Sequence, residues 1–349
     1  MKNFDKSSPV LVTGATGYVA GWVVKNLLED GFTVNAAIRD VSNVNKRTHL
    51  DNIANKSSGE IKYFEADLLD QGSYKEAMQG CQLVIHTASP FFLDAKNAQK
   101  ELIEPAFEGT RNVLNSVNDT ESVKRVVLTS SCAAIYGDAI DSKTVPDGVF
   151  DETMWNTTST PTISEYSYSK TVAEKEAWKI CGEQNRWDLV TINPSFVVGP
   201  ALNPRANFES KKFVLQMGNG DLKNGAPDLK MGMVDVRNVG EAHVNAGVNP
   251  KAYGRYILSS ESVDMLKVGE YLREKFGSKY PFPTKKAPKF LIWLIAPFLG
   301  IKRSFVSRNI GYAVFFNNSR SIEDLSINYI PVKTAVVDFF QQFIDEKLL

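Results

Sequence analysis

The chain has 349 residues with 40 basic and 40 acidic side chains, so its formal net charge is zero. The length suffices for one large α/β domain or for a nucleotide-binding domain with a smaller appendage, and the balanced charge excludes a global field that would attract nucleic acid or an anionic membrane. Three widely spaced cysteines without a CxxC pair argue against a zinc site or a disulfide framework and fit a reducing compartment. No metal is expected for the same reason. Because the first residues lack an apolar signal segment, we expect a cytoplasmic protein.

Short β-branched and apolar runs alternate with segments of helical periodicity. This alternation predicts an α/β fold with a doubly wound parallel sheet, the Rossmann type of dinucleotide-binding domain. The predicted strands cover residues 9–13, 32–38, 61–64, 83–86, 125–129 and 189–193. The predicted helices begin near Tyr18, Asn43, Ser73, Lys96 and Glu165. The first of them is expected to stop at Gly31, a residue type that adopts the left-handed conformation at helix ends.

The alternation weakens after residue 200, where Gly, Pro and Asn become frequent. We therefore assign residues 1–200 to the dinucleotide-binding domain with the catalytic residues, and residues 201–349 mainly to a smaller substrate-binding lobe. Residues 232–246 have the pattern of a strand and a helix, which favours their return to the first domain.

The most apolar stretch covers residues 290–300 and contains Pro297. It is shorter than the roughly 20 residues that a membrane-spanning helix needs. We predict a buried helix or a wall of an apolar pocket, with interfacial membrane attachment as the alternative.

A glycine-rich loop follows the first predicted strand, in the segment PVLVTGATGYVAGW. Small residues between a strand and a helix let the backbone turn sharply and approach a pyrophosphate at the positive end of the helix dipole. The strand, turn and helix context therefore indicates a dinucleotide-binding loop. The expected contacts are Thr13, Gly14, Thr16, Gly17, Tyr18 and Val19.

The choice of cofactor depends on the end of the second strand, which reads AAIRDVSNVNKR. Arg39 stands where an NAD enzyme usually has Asp or Glu, and a guanidinium can bind a 2′-phosphate that a carboxylate would repel. Lys46 adds a second positive charge. These residues predict NADPH in preference to NADH, although a structural pair of Arg39 with Asp40, or NAD binding through Asp40, is the alternative.

Two further segments fit a bound dinucleotide. Asp67 and Leu68 follow the third strand and can contact adenine, with a helix cap as the alternative role of Asp67. The fourth strand ends in IHTASP, whose small residues allow the backbone to pass close to the cofactor. The expected contacts there are Thr87, Ala88 and Ser89.

The catalytic candidates are Tyr166 and Lys170, which lie four residues apart in the predicted helix SEYSYSKTVAEKEAWKI. This spacing places both side chains on one face. A nearby ammonium is expected to shift the phenol, whose unperturbed pKa is about 10, toward the working range of an acid–base catalyst. Tyr271 and Lys275 have the same spacing, but their charged amphipathic helix lies in the C-terminal part, so we favour Tyr166.

Carbonyl reduction also needs a donor that stabilises the developing alkoxide. The fifth strand ends in VVLTSSCAAIYG, and Ser131 is the predicted donor, with Ser130 as the alternative.

These motifs together resemble the dihydroflavonol reductase and cinnamoyl-CoA reductase branch of the extended short-chain dehydrogenases, which includes microbial carbonyl reductases. The resemblance covers nearly the whole chain and includes GATGYVAGW, FEADLLD, IHTASPFF, EPAFEGTRNVL and INPSFVVGP. It implies a catalytic Ser–Tyr–Lys triad at Ser131, Tyr166 and Lys170, and 2′-phosphate contacts at Arg39 and Lys46. The nicotinamide-side contacts that it implies are Asn193, Pro194, Ser195 and Val197.

The predicted function is NADPH-dependent reduction of an aldehyde or ketone to an alcohol. Two alternatives are an NAD-dependent sugar-nucleotide epimerase or dehydratase of the same fold and a non-catalytic NADPH-binding sensor or scaffold. Arg39 argues against the first, and the presence of Tyr166 and Lys170 argues against the second. The expected partner is a small carbonyl substrate, without nucleic acid or membrane, in a monomer or homodimer.

Overall fold

The computed structural model describes residues 5–89 and 97–349. The strands in chain order are β1 (Val10–Thr13), β2 (Thr33–Ile38), β3 (Glu60–Glu65), β4 (Leu83–His86), β5 (Arg125–Thr129), β6 (Val149–Phe150), β7 (Asp188–Pro194), β8 (Phe196–Val198), β9 (Lys230–Asp235), β10 (Gly254–Leu258), β11 (Glu261–Asp264) and β12 (Phe315–Phe316). The helices are α1 (Tyr18–Glu29), α2 (Val44–Ala54), α3 (Lys75–Met78), α4 (Glu104–Asn118), α5 (Glu165–Gly182), α6 (Glu209–Gly218), α7 (Val236–Val248), α8 (Met265–Phe276), α9 (Lys289–Ile295), α10 (Arg303–Asn309), α11 (Ser319–Leu325) and α12 (Val332–Asp345).

Seven of these strands form one parallel sheet in the order β10-β7-β5-β4-β1-β2-β3. The predicted doubly wound sheet is thus confirmed, and the ends of the six predicted strands lie within one residue of the observed ends. Helix α1 begins at Tyr18 and α5 at Glu165, as predicted. Gly31, just after α1, has a φ of +83°. The helix start predicted near Lys96 lies outside the described residues.

The apolar core lies on both faces of the main sheet, as expected for strands buried on two sides. Helices α1 and α7 cover one face with residues such as Leu27 and Val239. Helices α3, α4 and α5 cover the other. A third cluster lies in the C-terminal part and includes three buried phenylalanines of α12, Phe339, Phe340 and Phe343.

Residues after 200 contribute strands to the main sheet and to the two smaller sheets. Strand β10 pairs with β7 at the edge of the main sheet, and α7 packs so closely on α1 that a Cβ at Gly240 would lie 2.8 Å from Trp22 Cβ. Strand β9, in contrast, pairs with β8 and β11 in a separate three-stranded sheet. Helix α7 therefore packs on the main sheet, whereas β9, the strand before it, belongs to the three-stranded sheet.

The apolar stretch at residues 290–300 forms α9 and a following 3₁₀ turn, Ala296–Leu299. The prediction of a buried helix is wrong, because only Ile292 and Ala296 of this stretch are buried, whereas Phe290 is 68% and Phe298 90% exposed. The stretch packs through one face on the equally short α10 and leaves its other faces uncovered. None of the helices in the described ranges is long and apolar enough to cross a bilayer.

Candidate active site

The loop between β1 and α1 makes a tight turn that contains Gly14 and Gly17. Gly14 has a φ of +62°, and a Cβ there would lie 3.0 Å from Ala88 Cβ. The N–H of Gly17 donates to the Gly14 carbonyl at 2.8 Å, immediately before the first residue of α1. This tight turn at a helix N-terminus is the cradle that a pyrophosphate requires.

Thr13 joins this loop to the end of β4. Its Oγ1 accepts the N–H groups of Thr87, at 3.1 Å, and Ala88, at 3.0 Å. The same oxygen shares a 2.8 Å hydrogen bond with His86 Nδ1. Burial lowers the pKa of His86 to about 3, so this imidazole is neutral. The contacts hold the ends of β1 and β4 side by side, which positions Ser89 next to the phosphate loop.

Replacing Gly14 by Ala tests the cradle. The left-handed backbone costs a residue with a Cβ roughly 1–2 kcal/mol, and the added methyl also contacts Ala88. We expect lower thermal stability together with weaker cofactor binding, measured by melting and by fluorescence titration. Gly80→Ala is the matched control, because Gly80 has a φ of +74° with nothing within 4 Å of an added Cβ. Equal cofactor affinity in the two variants would contradict the assignment.

Arg39 and Lys46 are both exposed, after β2 and in α2 respectively. The carboxylate of Asp40 accepts hydrogen bonds from Ser42 Oγ, at 2.6 Å, and from the N–H of Asn43, at 3.2 Å. These bonds, chiefly that from Ser42, lower the pKa of Asp40. Asp40 thus shapes the turn, and the described residues show no ion pair between Arg39 and Asp40, which leaves the guanidinium free of that carboxylate.

Asp67 and Leu68 lie in the turn after β3. Asp67 Oδ1 accepts the N–H of Leu69 at 2.9 Å, so its carboxylate stabilises this turn and caps no helix. The side chain of Leu68 packs on α4, where a Cβ at Gly109 would lie 3.1 Å from Leu68 Cβ. Both residues are half-buried.

Tyr166 and Lys170 lie one turn apart near the start of α5. The Tyr166 and Ser131 hydroxyl groups share a hydrogen bond. Lys170 is buried, its Nζ donates to Ser89 Oγ at 2.9 Å, and it lies 5.8 Å from the centre of the Tyr166 ring. The structure therefore brings together Ser89, Ser131, Tyr166 and Lys170 from three separate segments, beyond the carboxyl ends of β4 and β5.

The protonation of this cluster differs from the expectation. Burial raises the pKa of Tyr166, and the hydrogen bond with Ser131 only partly opposes it. The expected lowering by Lys170 is not found, because the ammonium is directed at Ser89. Burial also lowers the pKa of Lys170 to about 8, against a smaller raising effect of Glu174. Tyr166 is therefore a neutral phenol at physiological pH, the form that can give a proton.

Ser130 and Ser131 face different surroundings at the end of β5. Ser130 is buried and its Oγ donates to Glu174 Oε2 at 2.5 Å, whereas Ser131 accepts the N–H of Ala133 and contacts Tyr166. The adjacent Cys132 is buried, and its Sγ donates to the Asn193 carbonyl at 3.2 Å. Of the two serines, Ser131 has the hydroxyl that lies beside Tyr166.

The end of β7 lies next to this cluster. The Asn193 amide donates to the Ser131 carbonyl at 3.1 Å, and Pro194 follows as the last residue of β7. The N–H of Ser195 donates to the Leu258 carbonyl at 2.8 Å, but its buried Oγ has no hydrogen-bond partner among the described residues. Val197 continues in β8. A buried, unpaired hydroxyl at this place fits a ligand with a hydrogen-bonding group.

Glu174 is a residue of the site that no sequence motif identified. It lies one helical turn after Lys170, is 1% exposed and pairs with Arg255 at 2.7 Å. Its carboxylate also accepts hydrogen bonds from four other side chains. The donors are Ser130, Trp178, Thr191 and Asn193. The only signal in the sequence is its position on the Lys170 face of the helix, four residues further on.

The second Tyr–Lys pair lies in α8 of the C-terminal part. Tyr271 packs on the third apolar cluster, and the cation over its ring is Lys267, at 5.2 Å. Lys275 is exposed in the last turn of the helix. This pair is separate from the strand ends that form the cluster around Tyr166.

The parallel sheet, the phosphate loop and the Ser–Tyr–Lys cluster define an extended short-chain dehydrogenase. The chain belongs to the NAD dependent epimerase/dehydratase family, whose model matches residues 10–252. Within it, the chain is an NAD(P)-dependent reductase of the dihydroflavonol reductase and cinnamoyl-CoA reductase branch, as the relatives below show.

The curated relatives include cinnamoyl-CoA reductases. The chain is 42% identical to cinnamoyl-CoA reductase CAD2 of Medicago truncatula over 281 residues, which are 80% of this chain and 84% of the relative. It is 40% identical to cinnamoyl-CoA reductase 1 of Arabidopsis thaliana, over 80% of this chain and 79% of the relative. Among solved structures, the yeast methylglyoxal/isovaleraldehyde reductase Gre2 complexed with NADPH matches with a TM-score of 0.77 and 25% identity, over 97% of this chain and 99% of that one.

Proposed function

We propose that this chain reduces an aldehyde or ketone to an alcohol with NADPH, and that Tyr166 donates the proton. The observation that carries the proposal is the contact of a neutral Tyr166 with Ser131, beside the buried Lys170. Supporting it, the relatives and structural neighbours include a cinnamoyl-CoA reductase and a methylglyoxal/isovaleraldehyde reductase.

The residues present fit NADPH. The Gly14 and Gly17 backbone would hold the pyrophosphate, and Arg39 and Lys46 offer cations for a 2′-phosphate. Ser195 Oγ, which has no partner among the residues that the structure describes, would contact the nicotinamide end. When bound, NADPH supplies the hydride that reduces the carbonyl carbon.

The three catalytic candidates then have separate tasks. The Ser131 hydroxyl donates a hydrogen bond to the carbonyl oxygen, which stabilises the charge that develops there. Tyr166 transfers its phenolic proton to the same oxygen, which completes the alcohol. Lys170 remains charged below its pKa of about 8, and its ammonium, which donates to Ser89 Oγ, would bind a hydroxyl group of the nicotinamide ribose and so position the cofactor beside Tyr166.

Arg39→Ala tests the preference for NADPH. Hydrogen bonds to a charged group contribute about 1.5–3 kcal/mol, so we expect KM for NADPH to rise by about tenfold to about a hundredfold. KM for NADH should stay the same, because NADH has no 2′-phosphate. Lys56→Ala, at another exposed lysine just after α2, is the charge-matched control. A parallel rise in both KM values would show that Arg39 does not select the phosphate.

The reaction class is tested by measuring NADPH and NADH oxidation against aldehydes, diketones, ketoesters and flavanonols. The expected result is net NADPH consumption with at least one group and transfer of deuterium from labelled cofactor to the alcohol. An epimerase or dehydratase regenerates its cofactor and would give no net consumption. Tight NADPH binding without consumption across the panel would instead support a non-catalytic protein and contradict the proposal.

A further inference from the structure

The helical hairpin formed by α9, the 3₁₀ turn Ala296–Leu299 and α10 has a large exposed apolar surface. Its buried contacts are confined to one small cluster around Ile292, Ala296, Val306 and Ile310. Apolar side chains on its outer faces are between 37% and 90% exposed. They are Phe290, Leu291, Trp293, Leu294, Ile295, Phe298, Leu299, Ile301 and Phe305. Exposed apolar side chains gathered on one short segment in this way mark a place of interaction.

The charge around this surface has one sign. Residues 275–322 contain nine lysines and arginines and no aspartate or glutamate, although the whole chain is neutral. Some of these cations pair with acids from other segments, for example Lys286 with Asp228 at 2.6 Å. Among the described residues, Lys285, Lys289 and Arg303 have no carboxylate partner, and all three are exposed on or beside the hairpin. The guanidinium of Arg303 lies over the ring of the adjacent Trp293.

We propose that the α9–α10 hairpin binds the surface of an anionic lipid membrane. Short helices with exposed aromatic and aliphatic side chains and flanking cations lie in the interface plane, where apolar side chains enter the headgroup region and the cations contact lipid phosphates. Neither helix is long enough to cross the bilayer. A membrane partner of this kind differs from the expectation, drawn from the sequence, that the protein binds no membrane.

A second copy of the chain is the weaker occupant for this surface. A two-fold dimer brings the same patch of both subunits together. The cations on and beside this surface would then be brought close to those of the other copy, and like charges disfavour such a contact. An anionic surface complements both the apolar side chains and the charge.

The test is co-flotation of the full chain with vesicles of phosphatidylcholine alone or mixed with phosphatidylserine. We expect binding to the anionic vesicles that weakens with salt. Phe290→Ser with Phe298→Ser should reduce the affinity at least about tenfold, because two apolar anchors are lost. Lys285→Gln with Arg303→Gln should reduce it about 25-fold, at about fivefold per cation. Lys302 is left intact because it pairs with Glu165, next to Tyr166.

The control is Ile322→Ser with Leu349→Ser, two exposed apolar residues outside the hairpin. It should bind vesicles like the unchanged chain, and melting curves and NADPH oxidation confirm that every variant is folded. Absence of vesicle binding by the unchanged chain would overturn the proposal. So would equal binding by the phenylalanine variant. Self-association that the phenylalanine variant abolishes, without vesicle binding, would assign the hairpin to a dimer instead.

Discussion

Tyr166→Phe is expected to lower kcat for carbonyl reduction by about 10²–10⁴-fold, the range in which a positioned proton donor contributes. The substitution removes the phenol oxygen and keeps the ring, so packing at the start of α5 is preserved. Lys170 retains its bond to Ser89, and the phosphate loop is untouched. NADPH should therefore bind with nearly unchanged affinity, which separates a chemical defect from a binding defect.

Two matched variants make this result specific. Tyr168→Phe removes a hydroxyl from the same helix, and Tyr271→Phe removes it from the second Tyr–Lys pair in α8. Both should retain most of the activity, measured as steady-state kcat and KM beside a fluorescence titration with NADPH. Full activity of Tyr166→Phe, or loss of activity only in Tyr271→Phe, would refute the assignment of the proton donor.

Local sequence patterns were sufficient for six of the seven strands of the main sheet, all but β10, and for most segments of the candidate site. Most of these six strands are short apolar runs with their own boundary signals, and the phosphate loop needs only Gly14 and Gly17 in a strand–turn–helix context. Because parallel strands present their carboxyl ends at one edge, the segments after β1, β4, β5 and β7 could be expected to meet. Ser131 and Tyr166 do share a hydrogen bond there.

Contacts between distant segments could not be predicted in this way. Strand β10 carries Arg255 at its second position. From the sequence alone an arginine is expected to be exposed, because nothing indicates that its partner is Glu174, 81 residues earlier. The hydrogen bond from the Lys170 ammonium to Ser89 could not be predicted either, because Ser89 follows a different strand, β4. The composition of residues 290–300 indicates an apolar segment but not whether other parts of the chain cover it.

Glu174→Gln is expected to affect both stability and the pH dependence of the reaction. The carboxylate is the partner of the buried guanidinium of Arg255, and leaving one charge of a buried pair uncompensated costs about 3–5 kcal/mol in the free energy of unfolding. The measurement is chemical unfolding beside the pH dependence of kcat/KM for reduction. The matched control is Glu176→Gln on the same helix, whose ion pairs with Arg111 and Lys179 involve exposed partners and contribute at most about 1 kcal/mol.

The pH dependence follows from the charge of Lys170. Burial lowers its pKa to about 8 while Glu174 raises it, so the ammonium is present below pH 8 and is lost as the pH increases through this value. Activity of the unchanged chain should fall over that range. Without the Glu174 carboxylate the pKa of Lys170 decreases further, so the fall should begin at a lower pH, whereas Glu176→Gln should keep the original profile.

The double variant Glu174→Gln with Arg255→Gln separates the two effects. Removing both charges leaves neither one buried without a partner, so much of the lost stability should return. The shifted pH profile should remain, because Lys170 still lacks the nearby carboxylate. If the profile returned to its original position together with the stability, Glu174 would act only through the packing of α5 against β10. A profile that stays shifted in a stable protein identifies Glu174 as the residue that positions and tunes Lys170.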